Sequence, residues 1–94
     1  MNIHNFIFAM QCGDEIEFSL NGQKYFLQPD YATLNENRDK STPIYSCFVL
    51  YDSNNYDDPT ELCRGTVEEI MNYTFLGAYT LKGNFKQFKI DYIL

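Results

Sequence analysis

GDEIEFSLNGQKYFL, residues 13–27, is the stretch of this 94-residue sequence that decides the fold, because it predicts a β-hairpin. Ile16, Phe18 and Leu20 alternate with polar residues, which is the period of a strand with one buried face. Asn21 and Gly22 follow, and this pair favours the positive φ angles of a type I′ turn. Such a turn predicts one register, with the apolar side chains on one face: Leu20 opposite Gln23, Phe18 opposite Tyr25 and Ile16 opposite Leu27.

The segments on either side of the hairpin carry signals for a helix and for a strand end. Ile3, Phe6, Ile7 and Met10 follow helical spacing and predict an amphipathic first helix that packs on a sheet. Gly13 is placed to end that helix at the C′ position. Proline has no N–H to donate to a ladder, so residue 29 is expected to close the second strand.

The rest of the chain predicts short elements between polar loops. Residues 30–43 and 52–60 are expected to be loops, and the apolar run 44–51 is expected to be a central strand. A capping box at residues 66–69 predicts a short helix, the spacing of residues 81, 85 and 88 predicts another, and 89–94 predicts a final strand that alternates Ile90, Tyr92 and Leu94. We therefore expect an α+β fold with a small antiparallel sheet, in one domain spanning residues 1–94.

The charge of the chain is acidic and uneven. Thirteen acids and seven bases give a net charge of −6, and residues 52–69 alone hold six acids and one base. Residues 70–94 hold three lysines and one aspartate, which makes that end net positive. Nucleic-acid binders need clustered cations, so direct binding to nucleic acid is not expected. An acidic segment instead favours a basic protein as partner.

No catalytic, metal or cofactor signature is found along the sequence. The only histidine, His4, lies on the first helix, and no nucleophile is placed beside it. Residues 52–63 fail as an EF-hand loop, because the sixth position is Asp57 and the twelfth is Cys63. Cys12, Cys47 and Cys63 have no metal-site spacing and are expected to be reduced thiols of a cytoplasmic protein. No segment is long enough to span a membrane, and we predict a protein that is not an enzyme.

The quoted hairpin, the segments TVEEIMNY, LGAYTLKGNF and KIDYIL, and the short first helix together resemble small proteins of Firmicutes and their phages. The shared pattern is a hairpin of the type G-x-E-I-x-F-x-x-N-G-x-x-Y, a capped E-E-I helix and a closing aromatic strand. The resemblance covers the two ends of the chain, about half of it. It implies the topology and a phage or mobile-element context, and it implies no activity.

These observations lead to the hypothesis of a non-enzymatic protein-binding module, encoded by a phage or mobile element as an anti-CRISPR-like or other anti-defence inhibitor. It would occupy a basic host surface by mimicking the charge of nucleic acid, with two loop tyrosines adding apolar area. The candidate binding residues are Asp52, Tyr56, Asp57, Asp58, Glu61, Glu68, Glu69 and Tyr31.

Three alternatives stay open. An excess of surface acids that only maintains solubility explains the same composition. A small-ligand-binding or sequestering protein is the second. The third is a homodimeric assembly component that pairs through an exposed strand edge, either at residues 89–94 or on the hairpin.

Overall fold

A computed structural model describes residues 1–33 and 45–94 of the chain. Within them the fold is α+β, as expected. The elements in chain order are α1 (Ile3–Gln11), β1 (Ile16–Leu20), β2 (Gln23–Pro29), β3 (Phe48–Asp52), β4 (Thr60–Gly65), α2 (Val67–Met71), α3 (Leu81–Asn84) and β5 (Lys89–Ile93). Single 3₁₀ turns occupy Tyr31–Thr33 and Phe85–Gln87. Residues 34–43 of the predicted first loop, and Ile44, lie outside the described residues.

The β1–β2 hairpin has the predicted register. Ile16 lies opposite Leu27, Phe18 opposite Tyr25, and Leu20 opposite Gln23. Asn21 and Gly22 have φ angles of 50° and 82°, so both turn residues adopt the left-handed conformation that a type I′ turn requires. The prediction that the second strand closes at residue 29 is also confirmed.

The five strands form an antiparallel sheet in the order β4-β3-β2-β1-β5. Strand β4 is not among the predicted elements: its first residue, Thr60, falls in the predicted loop 52–60, and no element is predicted for residues 61–65. Strand β3 begins four residues later than the predicted strand at 44–51. A bulge at Leu62 shifts the register of β4 against β3. As a result the consecutive residues Leu62 and Cys63 are both half-buried, and β4 does not show the alternation of buried and exposed residues that is typical of a strand.

Strand β5 confirms the predicted final strand but not its alternation. Ile90 pairs with Phe18 and Ile93 with Ile16, because a bulge at Asp91 inserts one residue between them. Tyr92 consequently lies on the opposite face of the sheet from these two isoleucines. Both edge strands of the sheet, β4 and β5, therefore carry a bulge.

The helices cover one face of the sheet and enclose an aromatic core. Side chains of α1, α2 and α3 join those of the strands in one buried cluster. Phe75, which follows α2, is 1% exposed, and its ring centroid lies 4.8 Å from that of Tyr25, 5.0 Å from Phe88 and 5.9 Å from Phe18. The covered side of the sheet is the inner face, and its other side is the outer face.

Local caps fix the helix ends as expected. Gly13 has φ of 92° just after α1, and a Cβ there would meet the Tyr45 ring at 2.5 Å. The predicted capping box is present at α2: Glu69 N donates to Thr66 Oγ1 at 3.3 Å, and Thr66 N donates to Glu69 Oε1 at 3.3 Å.

Candidate protein-binding site on the acidic tip

The turn between β3 and β4, residues 53–59, projects an aromatic ring and two carboxylates from the sheet. We call it the acidic tip. Tyr56 is 86% exposed, the largest exposed fraction among the large hydrophobic side chains of the described residues. Asp57 and Asp58 are exposed beside it, and neither carboxylate has an ion pair within residues 1–33 and 45–94. Tyrosine is enriched at protein interfaces, and exposed charge steers association, so we treat the acidic tip as the candidate binding site.

Asn54 fixes the base of the acidic tip to the neighbouring hairpin. Its Oδ1 accepts a hydrogen bond from Lys24 N at 2.9 Å, and its Nδ2 donates to Asp52 Oδ1 at 2.6 Å. The backbone N of Asn54 also donates to Asp52 Oδ1, at 2.9 Å, and Ser53 N donates to Lys24 O at 3.0 Å. Asp52 is thus a half-buried acceptor that shapes the turn, while Asp57 and Asp58 are held out in solvent on a fixed base.

Glu61 belongs to an ion-pair group on β4 rather than to the acidic tip. Its Oε1 lies 2.6 Å from Nη2 of Arg64, whose Nη1 lies 2.7 Å from Asp30 Oδ1. The side chain of Asp30 is 3% exposed and that of Arg64 is 43% exposed, so the guanidinium links a buried acid to the surface. Hydrogen bonds to Glu61 and then to Asp30 raise the pKa of Arg64, which keeps its charge. Glu61 is therefore held by Arg64, and it is not a free carboxylate like those of Asp57 and Asp58.

Glu68 and Glu69 lie at the start of α2, at the other end of β4 from the acidic tip. At about 3.3 Å per residue, β4 separates these two sites by about 16 Å. Glu68 Oε1 accepts from Asn72 Nδ2 at 2.9 Å and lies 3.5 Å from Lys82 Nζ. Glu69 is folded back into the capping box of its own helix. Both glutamates support the first turn of α2.

Tyr31 follows β2, so it also lies at the end of the sheet away from the acidic tip. Its ring is 48% exposed and packs edge-on against Tyr45, with centroids 6.4 Å apart. Partial burial, followed by Glu15 and Tyr45, raises the pKa of the Tyr31 phenol. Of the eight candidate binding residues, the structure brings Asp52, Tyr56, Asp57 and Asp58 together and places the other four elsewhere.

The histidine and the thiol of Cys63 are the remaining side chains whose chemistry was considered in the sequence. His4 is exposed on α1, and no group of three or more His, Cys, Asp or Glu side chains that could hold a metal ion is found in the described part. Burial, then Glu69 and Glu61, raise the pKa of the Cys63 thiol, which makes it less reactive at neutral pH. No described helix is both long enough and apolar enough to cross a bilayer.

A second feature lies beside the opposite edge of the sheet and was not predicted from the sequence. An open groove of about 390 Å³ is lined by Met1, Phe85, Lys86, Phe88 and Ile90, and we call it the edge groove. It forms because the 3₁₀ turn after α3 meets the N-terminus and β5. Its only sequence signal is the helical spacing of residues 81, 85 and 88, which predicts a helix and indicates no groove.

Comparison of the chain with known protein families, with curated proteins and with solved structures finds no match.

Proposed function

We propose that this chain is a non-enzymatic protein-binding module that docks its acidic tip on a basic surface of another protein. The observation that carries the proposal is Tyr56, exposed to 86% between a fixed base and two unpaired aspartates. The exposed Tyr56 ring leaves apolar surface in contact with water. Burying that surface against a partner would be favourable.

The carboxylates and the ring would have separate tasks. Asp57 and Asp58 would steer a basic partner toward the acidic tip and set the salt dependence of the encounter. Tyr56 would then provide buried area at a low cost in side-chain entropy. The base formed by Asn54 would limit the ordering that binding requires, because the turn is already hydrogen-bonded to the hairpin.

We further propose that the basic surface is a nucleic-acid-binding one and that the protein acts as an inhibitor encoded by a phage or mobile element. Support for the first part is the pairing of adjacent carboxylates with an aromatic ring, which resembles the phosphates and bases of a single strand in charge and stacking. Support for the second is the resemblance of the hairpin and the capped helix to small phage proteins. The acids at α2 take no part, since they are engaged within the fold.

The test is a capture experiment from a bacterial lysate with matched variants. Wild-type protein on a solid support is compared with Asp57→Asn/Asp58→Asn, and with Asp14→Asn/Glu17→Gln as a control of equal charge change away from the acidic tip. We expect capture of a basic protein that falls steeply from low to high salt, is lost with the tip variant, and persists with the control.

Competition decides whether the captured surface binds nucleic acid. A short duplex or single strand added during capture should displace the partner, because both ligands would occupy one basic site. Equal capture by the wild type and the tip variant would refute binding through the acidic tip. Capture that depends on the tip but is unaffected by nucleic acid would refute charge mimicry and leave the binding module in place.

A further inference from the structure

The edge groove has an apolar wall and one basic residue. Phe85, Phe88 and Ile90 form the wall, with Met1 at its rim, and Lys86 supplies the charge. Lys86 has no ion pair among the residues that the structure describes, and Lys89 pairs with Asp91 only across 3.7 Å at an exposed site. This side of the molecule is therefore apolar and basic, on a chain whose net charge is −6.

Such a groove fits an aromatic ring that is followed by acidic side chains. The chain itself carries that combination in the order Tyr56, Asp57, Asp58, fully displayed in solvent. We propose that the edge groove binds the acidic tip of a second copy of the chain, so that the protein associates head to tail. The Tyr56 ring would lie on Phe85 and Ile90 while the aspartates meet Lys86 and Lys89.

A molecule cannot fill its own groove. The edge groove lies beside β5, whereas the acidic tip leaves the sheet from β3 and β4, at the other edge. Four strand spacings of about 4.8 Å separate the two edge strands by about 19 Å, and hydrogen bonds fix the base of the tip. The occupant must therefore come from another copy.

The two interacting surfaces differ, so the contact is heterologous. Each bound pair keeps one free acidic tip and one free edge groove, and growth can continue unless the rotation closes a ring. The contact is one turn in one groove, which is below the size of stable interfaces, so we expect weak association that appears with rising concentration. This inference uses the same tip as the proposed function but requires no foreign partner.

Sedimentation or light scattering of the purified chain between about 10 μM and about 2 mM tests the proposal. We expect the average mass to rise beyond that of a dimer with concentration and to fall with salt. Tyr56→Ser/Asp57→Asn/Asp58→Asn lacks the tip, and Lys86→Glu has a repulsive groove. Both variants replace exposed residues, so we expect both to fold, and circular dichroism checks this. Each variant alone should stay monomeric.

Mixing the two variants gives the decisive result. The tip variant keeps an intact groove and Lys86→Glu keeps an intact tip, so the mixture should form a 1:1 heterodimer. This heterodimer should grow no further, because its remaining groove and tip are the mutated ones. The control Lys82→Glu makes the same charge change at an exposed residue that neither lines the groove nor contacts the acidic tip, and it should still associate. A wild type that stays monomeric, a mixture without heterodimer, or an equal loss with Lys82→Glu would each overturn the proposal. Because no other protein is present, such a failure is distinguishable from failure of the lysate capture.

Discussion

Replacing Asn54 by alanine should loosen the acidic tip while leaving the core intact. The Asn54 side chain accepts from Lys24 N at 2.9 Å and donates to Asp52 Oδ1 at 2.6 Å, and both hydrogen bonds are lost in Asn54→Ala. The neighbouring Asn55 is also exposed, and its side chain makes no hydrogen bond among the described residues. Asn55→Ala is therefore a matched control in the same turn.

The expected cost follows from the number and the exposure of these bonds. A net protein hydrogen bond contributes about 0.5–1.5 kcal/mol, and the values here fall in the lower part of that range because water replaces exposed partners. Two bonds give a loss of about 1–2 kcal/mol in the free energy of unfolding for Asn54→Ala. The control should change it by less than about 0.5 kcal/mol.

Two measurements check this expectation. Urea unfolding followed by circular dichroism should show a midpoint lowered by roughly 1 M for Asn54→Ala, given a typical slope of about 1–3 kcal/mol per molar for small proteins. Native-state hydrogen exchange should show faster exchange of the Lys24 amide, because its acceptor is gone. Equal midpoints for the two variants, or an unchanged Lys24 exchange rate, would refute the role of Asn54 as the base of the acidic tip.

Three further predictions concern the core, a cap and pH. Phe75→Ala should lower the free energy of unfolding by about 3–5 kcal/mol in urea titrations, and the exposed neighbour Leu76→Ala should have a much smaller effect; equal losses would contradict the packing role of Phe75. Thr66→Ala should cost about 1 kcal/mol in the same assay, since it removes the oxygen that caps α2, and no change would show that the box is not formed in solution. Stability should fall as pH rises above about 9, because burial raises the pKa values of Cys63 and Tyr25 and the unfolded chain releases those protons first. A stability curve that stays flat from about pH 8 to about pH 11 would contradict this assignment.

The elements with local signals were predictable from the sequence. The Asn21–Gly22 turn fixes the hairpin by itself, since its conformation sets the register of every apolar pair in β1 and β2. The cap at Thr66 is equally local, because donor and acceptor are three residues apart. In both cases the deciding interactions lie within a few residues along the chain.

The structural features that were not predicted, strand β4 and the faces of β5, depend on contacts between residues distant in sequence. Strand β4 has no alternating pattern, because it lies at an edge and because the bulge at Leu62 shifts its two faces by one residue. The bulge at Asp91 likewise places Ile93, rather than Tyr92 or Leu94, on the inner face with Ile90. A bulge is a property of two paired strands, so one strand read alone does not reveal it.

The candidate site was predictable only in part, for a related reason. The acidic run 52–69 was visible as composition, but the sequence did not show that β4 divides it into a free tip and a set of engaged carboxylates. Glu61 forms an ion pair with Arg64 on the same strand, and the Glu69 side chain accepts a hydrogen bond in the capping box of its own helix. The edge groove was missed entirely, because its lining comes from residue 1 and residues 85–90, which only the folded chain brings together.

The bulges in β4 and β5 also affect how the protein is expected to behave at high concentration. A straight, unprotected border strand can template the addition of further strands, and fibrils grow in that way. Here Leu62 at one border and Asp91 at the other interrupt the regular row of backbone donors and acceptors. Because the bulges interrupt both edges, we expect the folded sheet to be a poor template for amyloid-like polymerisation, even though the chain is rich in phenylalanine and tyrosine.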